Sequence, residues 1–270
     1  MTQIKKAVIL AAGLGSRLRP HTDLMPKSLV AVHGTPILFN ALRNLEAVGV
    51  EDVTIVVGYR KDAIQYACGL RFGNLDITYV ESSVFDRTGS AYSLWLAREA
   101  LLQGDTYLLE GDVLFELDAL RCLNLGDAQN VTAVAPFDSM MEGSAVVLAD
   151  NGYIAEFRMK QTAADLASGS PQLFKTMNLI RLSGTDLRSK IVPYLDEIVG
   201  AGAVKSYTEE LFARLIERHG LRLAAARCDD LKWYEIDSEA DLRIAESIFA
   251  DRIERGAEGG VLARLQEGAR

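Results

Sequence analysis

Between residues 10 and 30 the chain reads LAAGLGSRLRPHTDLMPKSLV, in which Gly13-x-Gly15-x-Arg17 is followed by Pro20, Thr22, Pro26 and Lys27. These residue types suit the holding of a polyanion against main chain. Glycines at 13 and 15 let the backbone approach a ligand with no Cβ in the way, and turn N–H groups can converge on phosphate oxygens. Arg17 offers a planar fork and Lys27 a mobile point charge, so both can grip one anion. Two familiar phosphate loops do not fit. A dinucleotide fingerprint needs a third glycine where Leu18 stands and a helix running straight on, which Pro20 forbids. A Walker A loop needs glycine directly before Lys-Ser, whereas Lys27-Ser28 follows Pro26. What remains is an extended, proline-held loop carrying one arginine and one lysine.

The loop follows an apolar run, KAVILA, and that run belongs to a series. DVTIVVGY, DITYV, DTYLLEGDVLF, NVTAVAPF, SAVVLAD, YIAEFRM, MNLIRL and LRLAAARC are strand-like, rich in β-branched and apolar residues. Between the early ones lie helical patterns. PILFNALRNLEAVG sets Ile37, Leu38, Ala41, Leu42, Leu45 and Val48 on one face, with Pro36 at the first position and Gly49 as the stop, and SAYSLWLAREALLQG closes on Gly104. This βαβα order requires crossovers, hence an α/β fold: a mixed, mostly parallel sheet with helices on both faces, binding ligands at its carboxyl edge. Asn151-Gly152 between two strand-like runs predicts a hairpin. A small antiparallel insertion or lid is therefore expected over 144–176, with a mobile loop at 162–172. Residues 1–250 form one domain and 251–270 a loosely docked tail.

Composition narrows the setting. With 270 residues, 49% of them hydrophobic, the chain can bury a substantial core. A net charge of -8 argues against nucleic acid held on a broad basic surface, so an anion site must be local. Cys68, Cys122 and Cys228 form no CxxC and are odd in number, which suggests neither a disulfide framework nor zinc. The N-terminal apolar run is too short for a signal segment and no later run approaches a membrane span. A soluble, cytoplasmic protein is expected.

AAGLGSRLRPHTDLMPKSLV resembles the G-x-G-x-R-x-x-P-x-T-x-x-x-P-K pattern of the sugar nucleotidyltransferases. YSLWLA, LLEGDVLF and KWYEIDSEADLRIAE extend the resemblance to about residue 250, and YSL with KWYEID is most similar to the branch that acts on phosphocholine and related acceptors. The resemblance implies a Rossmann-like three-layer sandwich, CTP and Mg²⁺. It also implies transfer of CMP to a small phosphorylated or phosphonylated alcohol or amine, with release of pyrophosphate; a homodimer is compatible with it. Arg17 would hold the β- and γ-phosphates and Lys27 the α-phosphate. Leu10, Ala11, Ala12, Gly13, Gly15, Ser16 and Asp112 would line the nucleotide seat, and Asp112 and Asp237, each ending an apolar strand, would take the metal. Asp237 also admits a plain reading, in which DSEAD starts a helix with Ser238 as N-cap and Asp241 in a capping box.

The chain departs from the branch at one place, carrying Thr88-Gly89-Ser90-Ala91 where Asn-Asn is common. Gly89 and Ser90 lie where a loop passes under the base, although Ser90 is equally a helix N-cap. Lys160, Tyr207 and Glu209 are candidate acceptor contacts. Lys160 reads as readily as a surface lysine, and Thr208 beside the other two as an N-cap. Trp95, at helical spacing with Tyr92 and Leu96, reads as core. A sugar-1-phosphate uridylyl- or thymidylyltransferase and a non-catalytic nucleotide sensor are the alternative functions.

Overall fold

A computed structural model describes residues 3–166 and 171–250. The expected C-terminal tail, 251–270, and the middle of the expected mobile loop lie outside the described residues. The strands that build the fold are, in chain order, β1 (Lys6–Ala11), β2 (Asp52–Val57), β3 (Leu75–Glu81), β4 (Thr106–Glu110), β5 (Val113–Phe115), β6 (Val131–Pro136), β7 (Gly143–Leu148), β8 (Ile154–Gln161), β9 (Leu173–Leu182), β10 (Ala224–Arg227) and β11 (Trp233–Glu235). The helices that position them are α1 (Ile37–Ala47), α2 (Lys61–Cys68), α3 (Ser90–Leu96), α4 (Leu117–Cys122), α5 (Val192–Gly200), α6 (Thr208–His219) and α7 (Glu239–Ile248).

β1 is the hub. It pairs in parallel with β2 on one side and β4 on the other, and β2 carries β3 beyond it. Both faces of β1 are apolar, so helices must cover both. Ala7, Ile9 and Ala11 join the core under α1 and α2, while Val8, Leu10 and Ala12 join the one under α3, α5 and α6. The alternation of a strand thus divides the molecule into three layers. Past β4 the sheet turns antiparallel. β9, buried at every position, sets its second half against β4 and its first half against β7, with β6 on its other edge and β10 beyond.

The predicted hairpin forms as β7 and β8, turning at Asn151-Gly152. It is built into the main sheet as an edge through Ala145–Val147 on β9 rather than set apart from it. Pro36 stands just before α1 instead of opening it. No helix among the described residues is long and apolar enough to cross a membrane.

DTYLLEGDVLF, which reads as one strand, is two. β4 ends at Glu110, where the Gly111 N–H donates to Leu10 O at 2.9 Å at the end of β1. The chain then leaves the main sheet and β5 pairs antiparallel with β11, Glu235 opposite Val113. The Ile236 N–H extends that ladder by donating to Asp112 O at 2.9 Å, which sets Asp112 opposite the chain entering Asp237. α1 fixes the small ladder in place. Asn40 Oδ1 accepts from the Phe115 N–H at 3.0 Å, and Asn44 Nδ2 donates to Phe115 O at 3.0 Å.

Asn40 is buried, so Asn40→Ala strands the Phe115 N–H away from water at a cost of about 1–3 kcal/mol. Thermal unfolding followed by circular dichroism is expected to show a midpoint lower by roughly 2–4 °C per kcal/mol for a chain of this size. An unchanged midpoint would mean that β5 is held by its pairing with β11 alone.

Candidate active site

β1 delivers the glycine loop to the carboxyl edge of the sheet, with Leu10, Ala11 and Ala12 buried at its end. The structure explains Gly15 twice over. Its φ is 62°, a left-handed conformation costly for any residue with a Cβ, and a Cβ there would lie 2.9 Å from Lys27 Cβ and 3.1 Å from Thr22 Cγ2. The loop therefore folds back upon itself at Gly15. The Thr22 hydroxyl donates to Gly15 O at 2.8 Å, and the Tyr59 hydroxyl in turn donates to Thr22 O at 2.9 Å. Ser16, Arg17 and Leu18 form a single 3₁₀ turn, with Leu18 buried as its anchor and Arg17 projecting outward, 71% exposed.

The fold-back brings Lys27 to the end of the β5–β11 ladder. Its ammonium donates to Asp112 Oδ2 at 2.9 Å and to Asp237 Oδ1, while Arg17 Nη2 lies 2.8 Å from Asp237 Oδ2. Burial alone would disfavour the charged lysine, but the two carboxylates outweigh it and hold the Lys27 ammonium well above its ordinary range. Burial likewise would raise the Asp237 carboxyl. Lys27, then Arg17 and Lys175, reverse that and keep it below the usual carboxylate range. The helix cap is made next door, where Ser238 Oγ accepts from the Asp241 N–H at 3.3 Å and Asp241 Oδ2 accepts from the Ser238 N–H at 2.7 Å. The plain reading of DSEAD as a helix start thus holds for Ser238 and Asp241, while the Asp237 carboxylate itself is engaged by Lys27 and Arg17.

A second charged layer lies beside this one. Lys175, on β9, is buried and lies 2.9 Å from Glu235 Oε2, while Asn178 Nδ2 donates to Glu235 Oε1 at 3.2 Å. Glu110 accepts from the Thr208 hydroxyl at 2.7 Å, which also lies 3.2 Å from Glu209 Oε2. Burial first, then the charges of Glu209 and Asp112, push the Glu110 carboxyl well above its ordinary range, and burial raises Glu235 despite Lys175. Carboxylate oxygens of Glu110, Asp112 and Glu235 all lie within 4.8 Å of one another.

Residues 7–165 match the MobA-like NTP transferase domain. The chain belongs to that family. Among its relatives, the CMP-5'-(3-aminopropyl)phosphonate synthase of Streptomyces rubellomurinus is 36% identical over 91% of this chain, which spans 39% of that longer protein. The choline-phosphate cytidylyltransferase of Streptococcus pneumoniae is 27% identical over 90% of this chain and 98% of its own length. The solved CTP:phosphocholine cytidylyltransferase from Streptococcus pneumoniae superposes with a TM-score of 0.74 over 92% of this chain and 99% of that one at 23% identity, which shows the shared fold.

Within this NTP transferase chain the predicted residues divide. Arg17, Asp237, Lys27 and Asp112 form one run of ion pairs in that order, and Glu209 is linked through Thr208 to Glu110, whose carboxylate lies within 4.8 Å of that of Asp112. Gly89 and Ser90 open α3 from Gly89 as N-cap, so Ser90 is the first helical residue and not the cap. A Cβ on Gly89 would meet Ser206 O at 2.2 Å, so glycine is required there for packing, and Ser90 Oγ accepts from the Thr208 N–H at 2.9 Å. The N-cap of α6 is Tyr207 rather than Thr208, because the Thr208 side chain is engaged by Glu110. Tyr207 is 61% exposed at the rim, and Lys160 stands on the exposed side of β8, at φ 56°, making none of these contacts. Trp95 is half-buried against the α3 core, with Nε1 donating to Asp196 at 2.8 Å.

Glu110, Glu235 and Lys175 escape a sequence reading that fixes on the aspartates. The signal was present: EGD and EID each place Glu two residues before Asp at a strand end, and Lys175 interrupts the otherwise apolar opening of β9. As for metal, Asp112 Oδ1 is buried and has no hydrogen-bond partner among the described residues. An acceptor-only oxygen left in that state, beside the second carboxylate of Asp237, fits a hard divalent cation.

Because the folded Glu110 carboxyl titrates above its unfolded value, the Glu110 contribution to stability falls as pH rises from about 4.5 through the raised value. Glu110→Gln removes that charge and keeps an oxygen for Thr208. Its unfolding midpoint is expected to match wild type near pH 4 and to exceed it increasingly toward pH 8. A variant less stable than wild type at pH 8 would show that the Glu110 charge is compensated.

Proposed function

We propose that this chain is a CTP-dependent cytidylyltransferase, moving CMP from CTP to a small phosphorylated or phosphonylated alcohol or amine and releasing pyrophosphate. The observation that carries this reading is the contact of Lys27 with both Asp112 and Asp237 at the open edge of the sheet, against the glycine loop. The attacking phosphate or phosphonate oxygen is already anionic at neutral pH, so no general base has to make it. The obstacle is bringing anion to anion, and positioned positive charge removes it.

The chain supplies that charge from two sides. Lys27, pre-oriented by its carboxylates, meets the α-phosphate; Arg17, exposed and tied only through Asp237, reaches the β- and γ-phosphates. Main-chain groups of residues 10–16 seat the nucleotide, with Gly89 and Ser90 toward the base. Asp112 and Asp237 would hold Mg²⁺, which when bound supplies Lewis-acid neutralisation of phosphate oxygens. On the acceptor side stand Glu209, Tyr207 at the rim, and Lys160 on the edge strand β8. The relatives named for aminophosphonate and phosphocholine chemistry support the same acceptor class.

Steady-state kcat/KM for CTP, UTP, dTTP, ATP and GTP, each with 2-aminoethylphosphonate, phosphocholine, inositol phosphate and a sugar-1-phosphate, tests the proposal through pyrophosphate release. CTP is expected to exceed UTP at least about tenfold, a difference of roughly 1.4 kcal/mol, and aminated acceptors to exceed sugar-1-phosphates. Preference for UTP or dTTP with a sugar-1-phosphate would overturn both the base and the acceptor assignment.

A further inference from the structure

Gly58, Tyr59 and Arg60 follow β2 at the carboxyl edge of the sheet, one strand over from the glycine loop. Each is joined to that loop in a different way. Gly58 packs against its start, where a Cβ would lie 2.7 Å from Ala12 O and 2.8 Å from Phe85 Cβ. The Tyr59 N–H donates to the same Ala12 O at 3.0 Å, while the Tyr59 hydroxyl, at the far end of the loop, is shared between Thr22 O at 2.9 Å and Asp23 O at 3.1 Å. Arg60 Nη2 adds a second donor to Asp23 O at 3.0 Å. Tyr59 thus grips both ends of the segment that carries Gly13, Gly15 and Arg17.

The grip has a backbone cost. Arg60 sits at φ 50° and ψ 38°, a left-handed conformation uncommon for a residue with a Cβ. Such strain persists where the surrounding contacts over-determine the backbone, and it points to function. The bonds the loop makes within itself are local: the Leu18 N–H to Gly15 O at 3.0 Å, the Thr22 hydroxyl to Gly15 O at 2.8 Å and the Asp23 N–H to Pro20 O at 3.1 Å. They shape its turns, and Tyr59 fixes its ends to the neighbouring strand. The half-buried Tyr59 ring also meets Phe85 edge to face, centroids 6.3 Å apart, and Phe85 belongs to the segment leading to Gly89 and Ser90. One side chain therefore touches both the loop proposed for the phosphates and the segment proposed to run toward the base.

We propose that Tyr59, braced by Gly58 and Arg60, is a positioning residue that holds the glycine loop in its folded-back shape before the nucleotide arrives. The inference rests on the reading of that loop as the seat of a nucleoside triphosphate. Tyr59 acts through the backbone of residues 12, 22 and 23, and that backbone presents Arg17 and Lys27 to the phosphates. A loop that holds its shape only part of the time binds nucleotide with an affinity reduced by the competent fraction. Once bound, the nucleotide ties the loop itself through Arg17 and Lys27, so the chemical step is unaltered. Tyr59 therefore sets the KM for nucleotide and leaves kcat alone.

The test is Tyr59→Phe, which keeps the ring on Phe85 and the N–H on Ala12 O and loses only the hydroxyl. Hydrogen–deuterium exchange of the nucleotide-free protein should show the amides of residues 13–23 exchanging about fivefold faster than in wild type, the order expected from one lost hydrogen bond. With CTP, Mg²⁺ and 2-aminoethylphosphonate, the KM for CTP should rise about fivefold while kcat and the acceptor KM stay within about twofold. Tyr107→Phe, which loses a hydroxyl bonded to Asn124 Oδ1 at 2.8 Å on β4, should leave loop exchange and the CTP KM at wild-type values. Unchanged loop exchange, a lower kcat with an unchanged CTP KM, or an equal effect from Tyr107→Phe each overturns the proposal. Exchange is read without nucleotide or acceptor, so a wild type that does not use CTP would defeat the proposed reaction and leave the exchange result to decide the role of Tyr59.

Discussion

The ammonium of Lys27, 14% exposed and shared between Asp112 and Asp237, is the interaction on which the site is organised. Desolvating one lysine and two carboxylates costs several kcal/mol per ion, and their mutual attraction in a low-dielectric pocket only offsets that cost. Such a cluster is a poor source of net stability. It is, however, severe on its own members: losing one partner leaves the others charged and unpaired, at about 3–5 kcal/mol. Lys27 therefore keeps two carboxylates folded toward one another in the absence of substrate, and they keep it charged and aimed.

Every feature of the surrounding fold serves that convergence. Gly15 is the point where the loop can double back, since a Cβ there would lie 2.9 Å from Lys27 Cβ, and Thr22 and Tyr59 hold it there. The chain must leave β4 at Gly111 for Asp112 to face away from the main sheet, and β11 must run antiparallel to β5 for Asp237 to arrive opposite. The Lys175–Glu235 pair and the buried Glu110 carboxyl, which accepts from the Thr208 hydroxyl, form a second layer beside it.

The three-layer frame was legible because β1 and β2 are apolar on both faces, a pattern only a doubly covered sheet satisfies. The glycine loop was legible because its residue types combine too many special requirements for an ordinary turn. The reason for Gly15 was not, since it depends on where Lys27 returns in space. YLLEGDVLF concealed its break because both halves are apolar and the departure at Gly111 is set by Leu10 of another strand. Ser90 and Thr208 read as caps from local pattern, but their side chains are taken up by each other and by Glu110, a tertiary claim that local sequence does not carry.

If Lys27 stands between Asp112 and Asp237 as the counter-ion that a divalent metal must displace, then removing it should strengthen metal binding while the nucleotide is absent. Calorimetric titration of Mg²⁺ into nucleotide-free protein measures this directly, with circular dichroism confirming that the Lys27→Met chain is folded. The predicted result is a Kd for Lys27→Met lower than wild type by about tenfold or more, the order expected from about 1.4 kcal/mol of relieved competition. A Kd equal to or higher than that of wild type would contradict the account, because Lys27 would then not compete for the carboxylates that the metal needs.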